Sequence, residues 1–65
     1  MISLVRQNGH PVIVNVDLIE TVERAADGTT VVNLTTGNVL VVVDTPEAVR
    51  DAAIAYRRSL GLPAH

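Results

Sequence analysis

The sequence predicts an α+β, β-rich fold: about five short, mostly antiparallel strands in a curled sheet or small barrel, followed by one C-terminal amphipathic helix. Three observations predict it. Asn8-Gly9 lies between two apolar runs, a strong short-range signal for a β-hairpin. Turn residues recur at Ala26-Asp27-Gly28 and Thr36-Gly37-Asn38, each between Val-rich stretches. Thr45-Pro46-Glu47 then opens a segment whose apolar residues recur every three or four positions, the period of a helix.

Taken in order, Ile2 to Gln7 reads as the first strand, with Ile2 and Leu4 alternating with Ser3. Asn8-Gly9 supplies the positive φ angles of a tight turn. The second strand is Val12 to Val14, with Pro11 suited to the start of an edge strand. Asn15 to Asp17 breaks the β pattern, because Asn and Asp side chains bond their own backbone two residues on; a tight bend or a 3₁₀ turn is expected. The third strand runs from Leu18 to Arg24. If it is regular, Leu18, Glu20, Val22 and Arg24 share one face and Ile19, Thr21 and Glu23 the other. Thr29 to Thr35 is the fourth strand and Val39 to Val43 the fifth. In the helix, over residues 45–60, Thr45 caps, Pro46 takes the first position and Glu47 suits the positive end of the dipole. Val49, Ala52, Ala53, Tyr56 and Leu60 make its apolar stripe, and Gly61 and Pro63 close it.

A chain of 65 residues allows one domain, here residues 1–65 with strands over 1–43. A domain this small is marginally stable and usually needs a disulfide, a metal or a partner subunit. It has no cysteine, which excludes disulfides and thiolate metal sites, and its two histidines are His10 and the last residue, His65. Oligomerisation is the staple that remains. The fifth strand points the same way: Val39, Val41 and Val43 lie on one face and Leu40 and Val42 on the other. Val12 and Val14 likewise oppose Ile13. One helix covers one face of a small sheet. Either the sheet curls into a barrel or half-barrel, or a second copy covers the other face, and a homo-oligomer is expected. On the helix, Ile54 sits in the polar arc among Arg50, Asp51, Arg57 and Arg58 and is a candidate contact with another subunit or partner.

No catalytic constellation stands out, and no enzyme activity or cofactor is expected. Ser3 and Ser59 lack a neighbouring base, and the glycines are spaced as turns rather than as a phosphate loop. Asp17, Glu20 and Glu23 are close in sequence, but a regular strand points the two glutamates to opposite faces, so no metal site is expected. No apolar run approaches the roughly 18 residues of a membrane span, and Met1 leads straight into a strand pattern without a signal peptide, so a cytoplasmic location is expected. The formal net charge of −2 gives no general attraction to nucleic acid.

The opening block carries a resemblance. Met1, Ile2, Leu4, Arg6, Asn8 and Gly9, then Asn15, Asp17, Leu18, Ile19, Glu20 and Glu23, match the pattern of the FlbD-like family of small flagellar proteins, also called swarming motility protein SwrD. Gly37 before Val41 and Val42, and Tyr56 in the helix, fit the same pattern. The chain departs from it in having Val12 to Val14 where the family usually carries an aromatic residue. The resemblance implies a non-enzymatic accessory protein of flagellar motility, tied to swarming and to motor power through a motor or stator partner, and located in the cytoplasm or peripheral to the motor at the inner membrane. Arg6, Asn8, Asn15, Asp17 and Glu20 are the candidate partner or self-association contacts, and Arg6 and Glu20 are placed to pair across the first and third strands. The alternative is a small dimeric RNA-binding regulator, since Arg6 before the Asn-Gly turn also resembles the start of the carbon storage regulator family. RNA readers rely on stacking aromatics and basic clusters. The only aromatic here, Tyr56, falls on the core stripe of the helix.

Overall fold

A computed structural model describes residues 1–61. Leu62 to His65, including Pro63 of the expected helix stop, lie outside the described residues. The strands are β1 (Ile2–Val5), β2 (Pro11–Val14), β3 (Ile19–Arg24), β4 (Thr30–Leu34) and β5 (Val39–Val42), followed by α1 (Pro46–Ser59). β1 pairs with β2, and β3-β4-β5 form a second antiparallel sheet. A bridge between Arg6 and Val42 joins the two. Gln7 N–H donates to Val41 O at 3.1 Å, and Val43 N–H donates to Val5 O at 2.9 Å. The strands thus follow one another as β2-β1-β5-β4-β3, a curled arrangement that is not closed into a barrel. An open, mostly apolar groove of about 300 Å³ is lined in part by Met1, Val12, Leu18, Leu34 and Leu40.

All three hairpins use the same loop. Arg6 N–H donates to His10 O at 2.9 Å and Gly9 N–H to Arg6 O at 2.8 Å, so Gln7, Asn8 and Gly9 form the loop and Gly9, at φ +89°, closes it. This is a type I turn followed by a left-handed residue, and a side chain there would strain the backbone. Gly28 and Gly37 occupy the same place in the other two hairpins. Asn8 itself has no positive φ, so the turn is one residue longer than the two-residue form its Asn-Gly pair suggests. The residue before each glycine fastens the loop with its side chain: Asn8 Oδ1 accepts from His10 N–H at 3.0 Å, and Asp27 Oδ1 from Thr29 N–H at 3.0 Å. Thr36 Oγ1 does the same for Asn38 N–H at 3.5 Å.

Asp27 also accepts from the Thr29 hydroxyl at 2.6 Å. That bond first, and the Thr29 N–H second, holds its carboxyl below the ordinary value of 3.8. A lowered carboxyl favours the fold above the ordinary value, and the effect is lost as pH falls through the folded pKa. An NMR titration should therefore place the Asp27 midpoint below 3.8, and Thr29→Ala should raise it.

The core forms where the inner faces of the two sheets meet the helix. Ile2, Leu4, Val14, Val16, Val32, Val42 and Val49 are buried, with Val22, Ala52, Ala53 and Tyr56 packed around them. Among the described residues no buried side-chain polar atom lacks a hydrogen bond. α1 starts as its sequence dictates: Thr45 Oγ1 accepts from Ala48 N–H at 3.0 Å. Asp44 Oδ1, just before it, accepts from Val5 N–H at 2.8 Å and ties the helix entry to β1.

β3 departs from the regular strand expected of it. Leu18 belongs to the 3₁₀ turn Val16–Leu18, and the pairing with β4 shifts register between Ile19 and Thr21, leaving Glu20 as the extra residue. The shift turns Ile19 and Val22 to the core together. A regular strand would have put them on opposite faces.

Candidate functional site

The six candidate contacts separate into different places. Asn15 is the N-cap of the 3₁₀ turn, where its Oδ1 accepts from Asp17 N–H at 3.0 Å. Asp17 Oδ1 lies 3.4 Å from Arg57 Nη2 and clips the turn to the last turns of α1. At the other end of the helix Arg24 reaches Glu47 at 3.7 Å. Both pairs are solvent-exposed and each contributes at most about 1 kcal/mol. Asn15 and Asp17 thus have structural work in the fold. Asn15→Ala should cost about 0.5–2 kcal/mol, read as a lower midpoint in urea, because a capping acceptor is lost.

Glu20 is exposed at the register shift and makes no ion pair among the described residues. Its expected pairing with Arg6 does not form: β5 and β4 stand between β1 and β3, and Arg6 faces Val42 instead. Ile54 is half-buried rather than fully exposed on the polar arc.

Arg6 and Asn8 are brought together. With Gln7 they form one wall of a cleft of about 450 Å³, and Val39, Leu40 and Val41 form the other. The cleft exists because β1 leaves β5 at the Asn8-Gly9 loop while β5 runs on toward Asn38. Gln7, Val39 and Val41 were not singled out by sequence. The only signal the two valines carry is the two-faced apolar run Val39 to Val43, and Gln7 carries none beyond its place before the Asn8-Gly9 turn.

A second surface lies on the outer side of the sheets. Pairing registers place Val5 with Pro11, Ser3 with Ile13 and Val31 with Val41. Val43 adjoins Val5 through their backbone bond. Facing residues in an antiparallel pair share a face, so these side chains line one surface. Ile13 is 71% exposed, Val39 56% and Val43 55%. Glu23, opposite Val31 on β3, and Asp44, whose Oδ1 accepts from Val5 N–H, are ionisable groups at its margin.

Among the described residues no cluster of three His, Asp or Glu side chains could hold a metal ion. No helix among them is long and apolar enough to cross a membrane.

A comparison with protein families matches residues 1–61 to FlbD, described as flagellar and swarming motility proteins. No curated protein and no solved structure shows a significant match.

Proposed function

Because the chain belongs to the FlbD family of flagellar and swarming motility proteins, we propose that it is a non-enzymatic accessory protein that acts as a small self-associating interaction module. It works in the cytoplasm, peripheral to the flagellar motor at the inner membrane, and supports motor or stator power in swarming.

The observation that carries the self-association is the bare outer face of the sheets. Val5, Ile13, Val39 and Val43 are all exposed there, in a domain whose helix covers only the inner face. Fully burying one such side chain instead of leaving it in water is worth about 1.5–3 kcal/mol. A second copy is the fitting cover. Ser3 and Asn33 lie among the valines, and the charges are at the edges, Glu23 opposite Val31 and Asp44 at the Val5 amide, so two copies stacked about a two-fold axis bury valine against valine and leave the carboxylates at the rim.

The RNA-binding reading has less support. Arg24, Arg50 and Arg57 are held in ion pairs, and Tyr56 packs against the core rather than standing free as a stacking platform.

Two measurements test the reading. Sedimentation equilibrium at micromolar concentration should give a dimer or larger species, and a stable 6.9 kDa monomer would sink the self-association. Deleting the gene should impair swarming while transcript levels stay unchanged. Normal swarming with altered transcripts would favour the RNA regulator.

A further inference from the structure

We propose that the cleft beside Arg6 receives an extended, acidic segment of a protein partner, which adds as a short strand to the open edge of β5. This rests on the interaction-module reading only in taking the partner to be a protein.

The edge is open for a geometric reason. Leu34 N–H donates to Asn38 O at 2.9 Å, which fixes the alternation along β5. Leu40 and Val42 turn their backbone groups toward β4, and Val39, Val41 and Val43 turn theirs toward β1. At Val41 O and Val43 N–H, β1 meets them, with Gln7 N–H and Val5 O. Beyond Gln7 the chain leaves for the loop, whose backbone bonds run between Arg6, Gly9 and His10. The amide and carbonyl of Val39 therefore face the cleft with no strand opposite. An unpaired strand edge is a template for another chain. From Val39 to the Val41 amide it runs roughly 7 Å at about 3.3 Å per residue, room for the backbone of one or two extended residues.

Charge selects the occupant. Among the described residues Arg6 is the only ionisable group lining the cleft, and it makes no ion pair with any of them. A chain of net charge −2 thus presents one isolated cation beside an open backbone edge and the side chains of Val39 and Val41. A carboxylate meets Arg6 through charge-assisted hydrogen bonds, while the backbone of the same segment pairs with the amide and carbonyl of Val39. A nucleic-acid strand would instead need several cations and stacking aromatics, and the cleft lining holds neither.

The other two exposed edges are less suited to strand addition. β2 begins with Pro11, which has no N–H, and β3 carries Glu20, Glu23 and Arg24, charges that blunt an edge against pairing.

The test is an amide NMR titration of the whole chain with two capped pentapeptides, one alternating Val and Glu and one alternating Val and Lys. The Val-Glu peptide should shift the amides of Val39, Val41 and Gln7 and slow hydrogen exchange at Val39. Arg6→Glu, an exposed position whose folding is checked by its own spectrum, should weaken that binding by about tenfold or more, as loss of a charge-assisted contact implies. Equal binding of the Val-Lys peptide, shifts confined to other surfaces, or no shift at millimolar peptide would each overturn the proposal. So would a single-stranded RNA oligomer that moves the same amides more strongly. These readouts do not depend on solution mass, so a failure here is distinct from a failure of the self-association.

Discussion

Leu4→Ala is expected to abolish cooperative folding at physiological temperature. Leu4 is 2% exposed and sits in the buried cluster with Val32, Val42 and Val49. Truncating a buried leucine costs about 2–5 kcal/mol, through lost burial and the cavity left behind. A single core in a domain this small supplies only about 3–5 kcal/mol in all. The substitution therefore removes most of the stability margin. At roughly 4–8 °C per kcal/mol the midpoint should drop by tens of degrees, or the transition should vanish. The position leaves little room for relaxation, because the core is built from Val, Ile, Leu and Ala side chains, with Tyr56 its only aromatic. β-Branched neighbours cannot rotate into the void without leaving their preferred rotamers. Leu60→Ala, at a residue 54% exposed, should change the stability by less than about 0.5 kcal/mol and serves as the control. Thermal melts followed by circular dichroism decide it: a midpoint for Leu4→Ala within a few degrees of the parent would mean that the core is not where the fold places it.

What the sequence makes legible follows from how local each signal is. Thr45-Pro46-Glu47 needs only its own neighbours to start a helix, and the Thr45 cap forms as its position implies. Asn15 is equally local, and its side chain closes the expected 3₁₀ turn. Local pattern fails where one residue changes the count. The period-2 reading put Ile19 and Val22 on opposite faces, and the register shift at Glu20 puts both against the core. The Asn8-Gly9 pair marks a turn correctly, yet Gln7 belongs to the loop as well, as the Arg6–His10 bond shows. Strand order is the least local property of all. Nothing in Arg6 or Glu20 tells that β5 and β4 separate their strands, so the sequence alone allows the pair that the strand order forbids. The same blindness hid the cleft. Arg6 and Asn8 are visible as polar residues before a turn, but the opposite wall of their cleft comes from β5, more than thirty residues later in the chain. The outer valine face lay between these cases. Two-faced apolar strands announced that cover was missing, and only the pairing registers show which valines share the uncovered side.

If the outer valine face carries the proposed self-association, Val43→Glu should leave a folded monomer and reduce swarming to the level of a deletion strain. Val43 is 55% exposed in the single chain, so a glutamate there is solvated and the fold survives. Its backbone bond to Val5 O does not involve the side chain. In the stacked pair the same carboxylate meets Val5 and the apolar face of a second copy, with a second glutamate close by across the two-fold axis. Burying an unpaired charge costs several kcal/mol, and like charges add to it. At 1.4 kcal/mol per factor of ten, a cost of about 4 kcal/mol weakens the dimer by roughly a thousandfold. A second readout separates lost association from lost folding. Subunits that stabilise one another melt at a temperature that rises with protein concentration. The parent should show that dependence and Val43→Glu should lose it, while its far-ultraviolet spectrum stays that of a folded α+β domain. If Val43→Glu sediments as the parent does, the subunits meet through another surface. If it is a folded monomer that swarms normally, self-association is real but is not what motility needs, and the cleft beside Arg6 becomes the surface to pursue.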